Sequence, residues 1–322
     1  MKKTIGFHSV LAEQMQQFVA FKRMQGYDYT DQARTLSYFD RFLVDDADGD
    51  PGTGLRLDSL RRYVETTAHL KGFMRQSRIS SLREFSRYLH ARFPQSAILP
   101  ADIVPRHAPT VRFYRIEPRQ IADLMAAAQF LRPAGGIRAQ SINMLIGLLY
   151  STGLRINEAL HLTLADIDRQ RSVLHVVHGK FGKQRFVPMS PSTRSALTRY
   201  LGVRSHHAGT SKAAPLFIGA FNKPLSYDQA HKGFRHLCRD CGLCGQPPPR
   251  LHDLRHNYAC RRLALWREEG CDINTMLPVL ATAMGHVNIH NTQIYLHIEP
   301  GELHVAAARL PNPNNPQPEN EQ

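Results

Sequence analysis

The chain of 322 residues carries 41 lysines and arginines against 27 aspartates and glutamates, a formal net charge of +14. That length admits two domains with proper cores, and no 18-residue apolar stretch of the kind needed to cross a membrane as a helix occurs anywhere. Met1-Lys2-Lys3 is not followed by the apolar run of a signal peptide, and five cysteines, an odd number, fit a reducing compartment better than a disulfide framework. A cytoplasmic protein with no membrane association is expected, and its charge favours a polyanionic partner, nucleic acid first.

Residues 1 to about 100 read as consecutive amphipathic helices. Val10, Leu11, Met15, Phe18, Val19 and Phe21 define one apolar stripe; Leu36, Phe39, Phe42 and Leu43 define the second; Leu60, Tyr63 and Val64 the third; Leu82, Phe85, Leu89 and Phe93 the fourth. A small helical bundle buries such stripes. The polar faces crowd Arg61, Arg62, Lys71, Arg75, Arg78, Arg83 and Arg87 into one stretch, which points to contacts with DNA phosphates rather than an ordinary solvated face.

Residues 101–118 lie in a stretch marked by Pro94, Pro100, Pro105, Pro109 and Pro118, with little apolar periodicity, and read as an extended linker. Residues 119–310 follow as a second domain. Helices are predicted over Gln120 to Phe130 and Ala139 to Tyr150. Residues 173–177 alternate as a strand, 179–183 turn, and 184–189 return as its hairpin partner. Leu201 to Pro215 reads as a loop, Gly301 to Leu310 as a short helix, and residues 311–322, rich in proline, asparagine and glutamate, as a disordered tail. The fold class is therefore mainly α with a small β-hairpin or sheet (α+β).

Six polar residues in this second half carry the chemistry: Arg155, Lys180, His252, Arg255, His286 and Tyr295. The run Leu148 to Leu160 reads as a buried helix, a turn at Gly153 and a new helix starting at Arg155, so the arginine is presented near a helix start, where anions bind readily. His252 and Arg255 are three residues apart, which on a helix turns both to one face. Gly285-His286 is followed nine residues later by Tyr295, with Ile289 and Ile294 marking a buried face between them.

These stretches resemble the tyrosine recombinase family, also called the phage integrase family, whose pattern is Arg, Lys, His-x-x-Arg, His or Trp, then Tyr. The resemblance covers roughly residues 119 to 310 as motif, and more loosely the whole length, since the family usually carries a helical core DNA-binding domain ahead of the catalytic one. It implies a site-specific recombinase for integration, excision or transposition of a mobile element. Tyr295 would then be the nucleophile that forms a 3′-phosphotyrosine on double-stranded DNA and frees a 5′-hydroxyl. Arg155 and Arg255 would clamp the scissile phosphate, since a guanidinium donates in pairs to phosphate oxygens and stays charged. His252 would act as acid or base, and His286 would hydrogen bond a non-bridging oxygen. Glu158 sits where the family has an acidic residue that orients the cations, and His256 reads as a supporting or core residue.

Gly179 to Pro188 resembles the family's β-hairpin, in which the first lysine is the general acid for the 5′ oxygen. Register favours Lys180 over Lys183, and Lys183 and Arg185 are then phosphate contacts. No cofactor or metal is implied. Assembly as a tetramer on paired sites is implied, with an accessory recombinase or DNA-bending protein as a further partner. A type IB topoisomerase shares the tyrosine and cations but acts alone on one duplex, and a catalytically silent DNA-binding regulator would keep only the basic surface. Outside the pattern stand Cys238, Cys241 and Cys244, whose two-residue spacing suits zinc, with His231, His236, Cys260 or Cys271 as a fourth ligand. Without a second paired cluster, reduced thiols are the default.

Overall fold

A computed structural model describes residues 5–46, 54–104, 113–132, 136–177, 184–286 and 288–297. The chain divides into two compact units, Met1–Thr110 and Val111–Gln322.

Among its described residues the first unit has four helices: α1 (Ala12–Met24), α2 (Thr30–Asp45), α3 (Leu57–Thr66) and α4 (Gly72–His90). Their apolar stripes meet in one core that includes Met15, Phe18, Leu36, Phe39, Leu60, Leu82 and Phe85. Phe18 lies edge-on to Tyr29 at 5.4 Å and tilted against Phe85 at 5.5 Å, arrangements that suit aromatic quadrupoles. Three residues of the predicted stripes stay outside: Val10, Phe21 and Phe93 are exposed. Val10 precedes the first turn of α1, so helical spacing does not govern where it points. Buried Asp40 accepts the backbone N–H groups of His8 and Ser9 at 2.8 and 2.9 Å and ties the start of the chain to α2.

Among the described residues between α4 and residue 118 there is no helix or strand. The first part of this stretch is nevertheless packed: Leu99 is buried in the core of the first unit, and Ala97 donates its N–H to the Leu55 carbonyl. Arg83 donates to the carbonyls of Leu99, Pro100 and Ala101. Proline spacing alone cannot distinguish such a strapped segment from an extended one.

The second unit opens with α5 (Pro118–Ala128), started by a reciprocal capping box between Glu117 and Gln120 with proline at the first position. It continues through α6 (Arg138–Thr152) and the single-turn α7 (Ile156–Leu160). Strands β1 (Ile167–Asp168), β2 (Val173–Val176) and β3 (Arg185–Pro188) form an antiparallel sheet in chain order. Val173 pairs with Pro188 and Val176 with Arg185, so Arg185 sits at the hairpin end of the sheet. Helices α8 (Pro191–Ser205), α9 (Tyr227–Asp240), α10 (Leu251–Glu268), α11 (Ile273–Met284) and α12 (His290–Gln293) follow, the last running into a 3-10 turn over Ile294–His297.

Helix α6 is apolar around most of its circumference because it is the axis of the unit, packed by α5, α8 and α10. The expected loop at 201–215 begins only after Ser205. The helix persists because Arg204, 1% exposed, is held by the chain that follows it, donating to the carbonyls of Pro215, Leu216 and Gly209. Among the described residues no helix is long and apolar enough to cross a membrane. The expected turn at 179–183, the expected helix at 301–310 and the expected tail at 311–322 lie outside the described residues.

Candidate active site

Two glycine-terminated helices build the cationic half of the site. Helix α6 ends at Gly153, in the left-handed region with φ 66°, and the chain turns at once into α7 with Arg155 as its N-cap. A side chain at 153 would be strained by that φ, and its Cβ would fall 2.3 Å from the Tyr258 ring, so only glycine serves. Helix α11 ends the same way at Gly285, also φ 66°, where an added Cβ would lie 2.7 Å from the Arg185 guanidinium.

Three arginines gather between these turns. Arg155 donates to Glu158 Oε1 at 2.7 Å and to the Gly285 carbonyl at 2.8 Å. Arg255 on α10, 2% exposed, donates to the Gly153 carbonyl at 2.6 Å and the Met284 carbonyl at 2.8 Å. Arg185 on β3 donates to both Glu158 oxygens at 3.1 and 2.7 Å and to the Ala283 carbonyl at 2.9 Å. Glu158, 4% exposed, thus carries two guanidinium groups. Burial alone would raise its pKa, but the hydrogen bonds from Arg185 and Arg155 win and hold it below the usual carboxylate range.

Arg255 is pushed down to about 10, first by burial and then by Arg155 beside it, with Tyr295 and Glu158 opposing. It remains charged at neutral pH. Several guanidinium groups against one buried carboxylate leave an excess of positive charge, which an anion would neutralise.

The other half comes from α10 and the segment after α11. Tyr295 is 2% exposed, and its hydroxyl pairs with His256 Nδ1 in a hydrogen bond of 2.9 Å. The tyrosine is pushed up to about 12 by burial, against the lowering influence of Arg255 and Arg155. His286 follows the glycine turn and pairs through Nδ1 with the buried hydroxyl of Thr292 at 2.7 Å; its ring lies nearly parallel to Tyr295, 6.5 Å away. Burial, then Arg255, Arg155 and Arg185, push His286 down to about 3, so the ring is neutral.

His252 presents much of its surface to solvent one turn before His256, its ring edge-on to that ring at 4.6 Å. Its pKa is lowered too, by desolvation on its protein side and then by Arg255 and Arg250. Arg155, Glu158, His252, Arg255, His286 and Tyr295 therefore converge from α6–α7, α10 and the α11–α12 segment. Lys180 and Lys183 lie outside the described residues.

A match to the phage integrase family model spans residues 114–302, more than half of the chain. The chain belongs to the phage integrase family. It is 32% identical to the integrase/recombinase y4rB of Sinorhizobium fredii over 94% of this chain and 97% of that protein. It is 31% identical to tyrosine recombinase XerC of Chlamydia trachomatis over 75% of this chain and 72% of the relative. The fold is that of solved members of the family. The Tn1549 transposon integrase in complex with transposon right end DNA superposes with a TM-score of 0.66 at 18% identity, covering 94% of this chain and 99% of that one. XerH site-specific recombinase bound to its difH substrate gives 0.61 at 18% identity, covering 87% and 79%. The chain is accordingly a tyrosine-type recombinase enzyme.

Against this family background, three features stand apart from the sequence reading. Arg185, expected to contact phosphate, is spent on Glu158: its side chain is 11% exposed and braces β3 against α7 and α11. The expected supporting residue His256 touches the tyrosine hydroxyl itself. Thr292, which anchors His286, was not anticipated, because a threonine between two histidines carries no signal until the α11–α12 turn is folded.

Of the basic residues of the first unit, Arg61, Lys71 and Arg87 stand exposed. Arg62 donates to both oxygens of Asp46, Arg75 to Thr67 and the Val64 carbonyl, and Arg83 to the three carbonyls above. Arg78 lies 3.8 Å over the Tyr38 ring. Among the described residues no group of three or more histidine, cysteine or acidic side chains is placed to hold a metal. Cys238 is buried and pushed up to about 12 by that burial, so it is an inert thiol at neutral pH.

Proposed function

We propose that the protein is a site-specific DNA recombinase that breaks and rejoins strands through a 3′-phosphotyrosine on Tyr295. The observation that carries this reading is the convergence of Arg155, Arg255, His252 and His286 around Tyr295 from separate segments of the chain.

Phosphoryl transfer needs a nucleophile in line, cations on the non-bridging oxygens and a proton for the leaving oxygen. Arg155 and Arg255 supply the cations, and backbone carbonyls on both sides fix where their guanidinium planes lie, so little reorganisation is needed when the phosphate arrives. His286, held by Thr292, donates to a non-bridging oxygen, and His252 serves the phosphate from the solvent side as acid or base. Lys180 delivers the proton to the 5′ oxygen. Glu158 touches no reacting atom in this scheme; it orients Arg155. The phosphotyrosine conserves the bond energy of the phosphodiester, so an incoming 5′-hydroxyl reverses the attack without ATP.

Integration, excision or transposition of a mobile element is the biological setting, an assignment favoured by likeness to the Sinorhizobium fredii integrase/recombinase and to the transposon integrase. The first unit grips duplex DNA through Arg61, Lys71 and Arg87, and a tetramer on paired sites carries out the exchange, with a DNA-bending protein or second recombinase as an accessory. The test is covalent trapping. Purified wild type and Tyr295→Phe are incubated with nicked genomic fragments in chelator, denatured and scored for attached DNA. Adducts with wild type alone are expected; binding without adducts by either protein would sink the proposal.

A further inference from the structure

We propose that His256 is a catalytic residue of this site, its Nδ1 accepting the proton of Tyr295 as the phenol oxygen attacks phosphorus. The inference rests on the reading of Tyr295 as nucleophile and adds the base that this reading leaves open.

The geometry places a ring nitrogen within hydrogen-bond reach of the phenol oxygen. Among the described residues, the one hydrogen-bond partner recorded for the Tyr295 hydroxyl is His256 Nδ1, at 2.9 Å. That imidazole is packed by two other rings. Phe113 lies against it at 5.1 Å with planes 29° apart, and His252 meets it edge-on at 4.6 Å. Asn257, the next residue, bonds the Tyr114 carbonyl and the Ile116 N–H, so the strand of chain that brings in Phe113 is pinned to the same helix. His256 therefore cannot swing away from the phenol without breaking several contacts. His252, the other candidate base, makes no recorded hydrogen bond to Tyr295 and faces solvent.

The charged and titratable groups around the ring are His252 and Arg255 on α10, Arg250 at its N-cap, His286 after α11 and Tyr295 on the 3-10 turn, with Phe113 apolar. Burial first, then His252, Arg250, Arg255 and His286, hold the imidazole down to about 3. The ring is neutral, and in the tautomer protonated on Nε2 its Nδ1 lone pair accepts from the phenol. A bound phosphodiester brings negative charge into this cationic cluster. It raises the proton affinity of the imidazole at the stage where the phenol must lose its proton. In the step, the bond from Tyr295 Oη to phosphorus forms and the bond from phosphorus to the 5′ oxygen breaks. The phenolic proton passes to His256 Nδ1, and the 5′ oxygen takes its proton from a separate donor, the role given to Lys180. On religation His256 returns its proton to the phenolate.

The experiment uses duplex DNA carrying the trapped site, with sulfur replacing the bridging 5′ oxygen so that the leaving group needs no proton. Single-turnover adduct formation is followed against pH, with filter-binding affinity and thermal unfolding alongside. Asparagine keeps an acceptor near the place of Nδ1 but is not a base. His256→Asn is expected to slow adduct formation about a hundredfold at unchanged affinity and to lose the fall in rate on the acid side. A wild-type rate, or a slowed rate with the acid limb intact, would overturn the assignment.

Should His256→Asn fail to fold, His252→Asn decides in its place: an acid limb that survives this change supports His256, and one that vanishes assigns the base to His252. Adducts formed by Tyr295→Phe would instead contradict the nucleophile itself, separating the two failures.

Discussion

At the level of single residues, Glu158 holds the cationic cluster together. Its carboxylate is nearly without solvent contact and accepts from both Arg155 and Arg185. Removing it leaves at least one buried guanidinium uncompensated, and such losses are typically about 3 kcal/mol or more. Glu158→Gln is therefore expected to lower the midpoint of urea unfolding by an amount corresponding to about 3 kcal/mol. The carboxylate's folded pKa lies below its unfolded value near 4.5, so its stabilisation is present above that pH and is lost as pH falls further. The gap between wild type and Glu158→Gln should accordingly narrow on acidification. If the gap is constant from neutrality to pH 3, the ion pairs are not its source.

The two depressed histidines act in the same direction over a different window. His256 and His286 titrate near 3 in the fold against about 6.5 when unfolded, so between those values the unfolded chain holds more protons. Stability should fall as pH drops from 6.5 towards 3, and melting temperature against pH should show a shallower slope in His286→Gln than in wild type. Equal slopes would mean that His286 is not buried neutral.

On the scale of elements, the site hangs on two helix ends that stop in left-handed glycines. Gly153→Ala would place a methyl into the Tyr258 ring and impose an unfavourable φ, so a loss of about 1–3 kcal/mol and a displaced Arg155 are expected, read by chemical denaturation and by DNA trapping. Retention of wild-type stability would show that the turn can relax, contrary to this account.

These ends also show what a sequence discloses. Gly153-Leu154-Arg155 and Gly285-His286 are local signals, legible because a helix stop and the residue after it are neighbours in the chain. So are His252 and Arg255, three apart on one helix face. The partnership of Arg185 with Glu158 spans 27 residues, and that of His256 with Tyr295 spans 39, so neither has a local period to reveal it. Arg185, read as a phosphate contact, is instead a brace for this reason. The helical stripes of the first unit were legible from periodicity, whereas the extension of α8 to Ser205 depended on an arginine buried against carbonyls that follow it.

Taken as a whole, the molecule consists of two units, each with its own apolar core. Phe85, fully buried in the first, should cost about 3–5 kcal/mol as Phe85→Ala. In calorimetry that loss should fall on the transition of residues 1–110 and leave the transition of the catalytic unit in place. A common shift of both would mean that the units unfold as one. The central claim is that Tyr295 carries the DNA in the covalent intermediate. The direct measurement is to trap the wild-type protein on DNA, digest both polymers and identify by mass spectrometry the peptide that bears the nucleotide. The account predicts a 3′-linked nucleotide on the peptide containing Tyr295. A nucleotide attached to any other residue would contradict it.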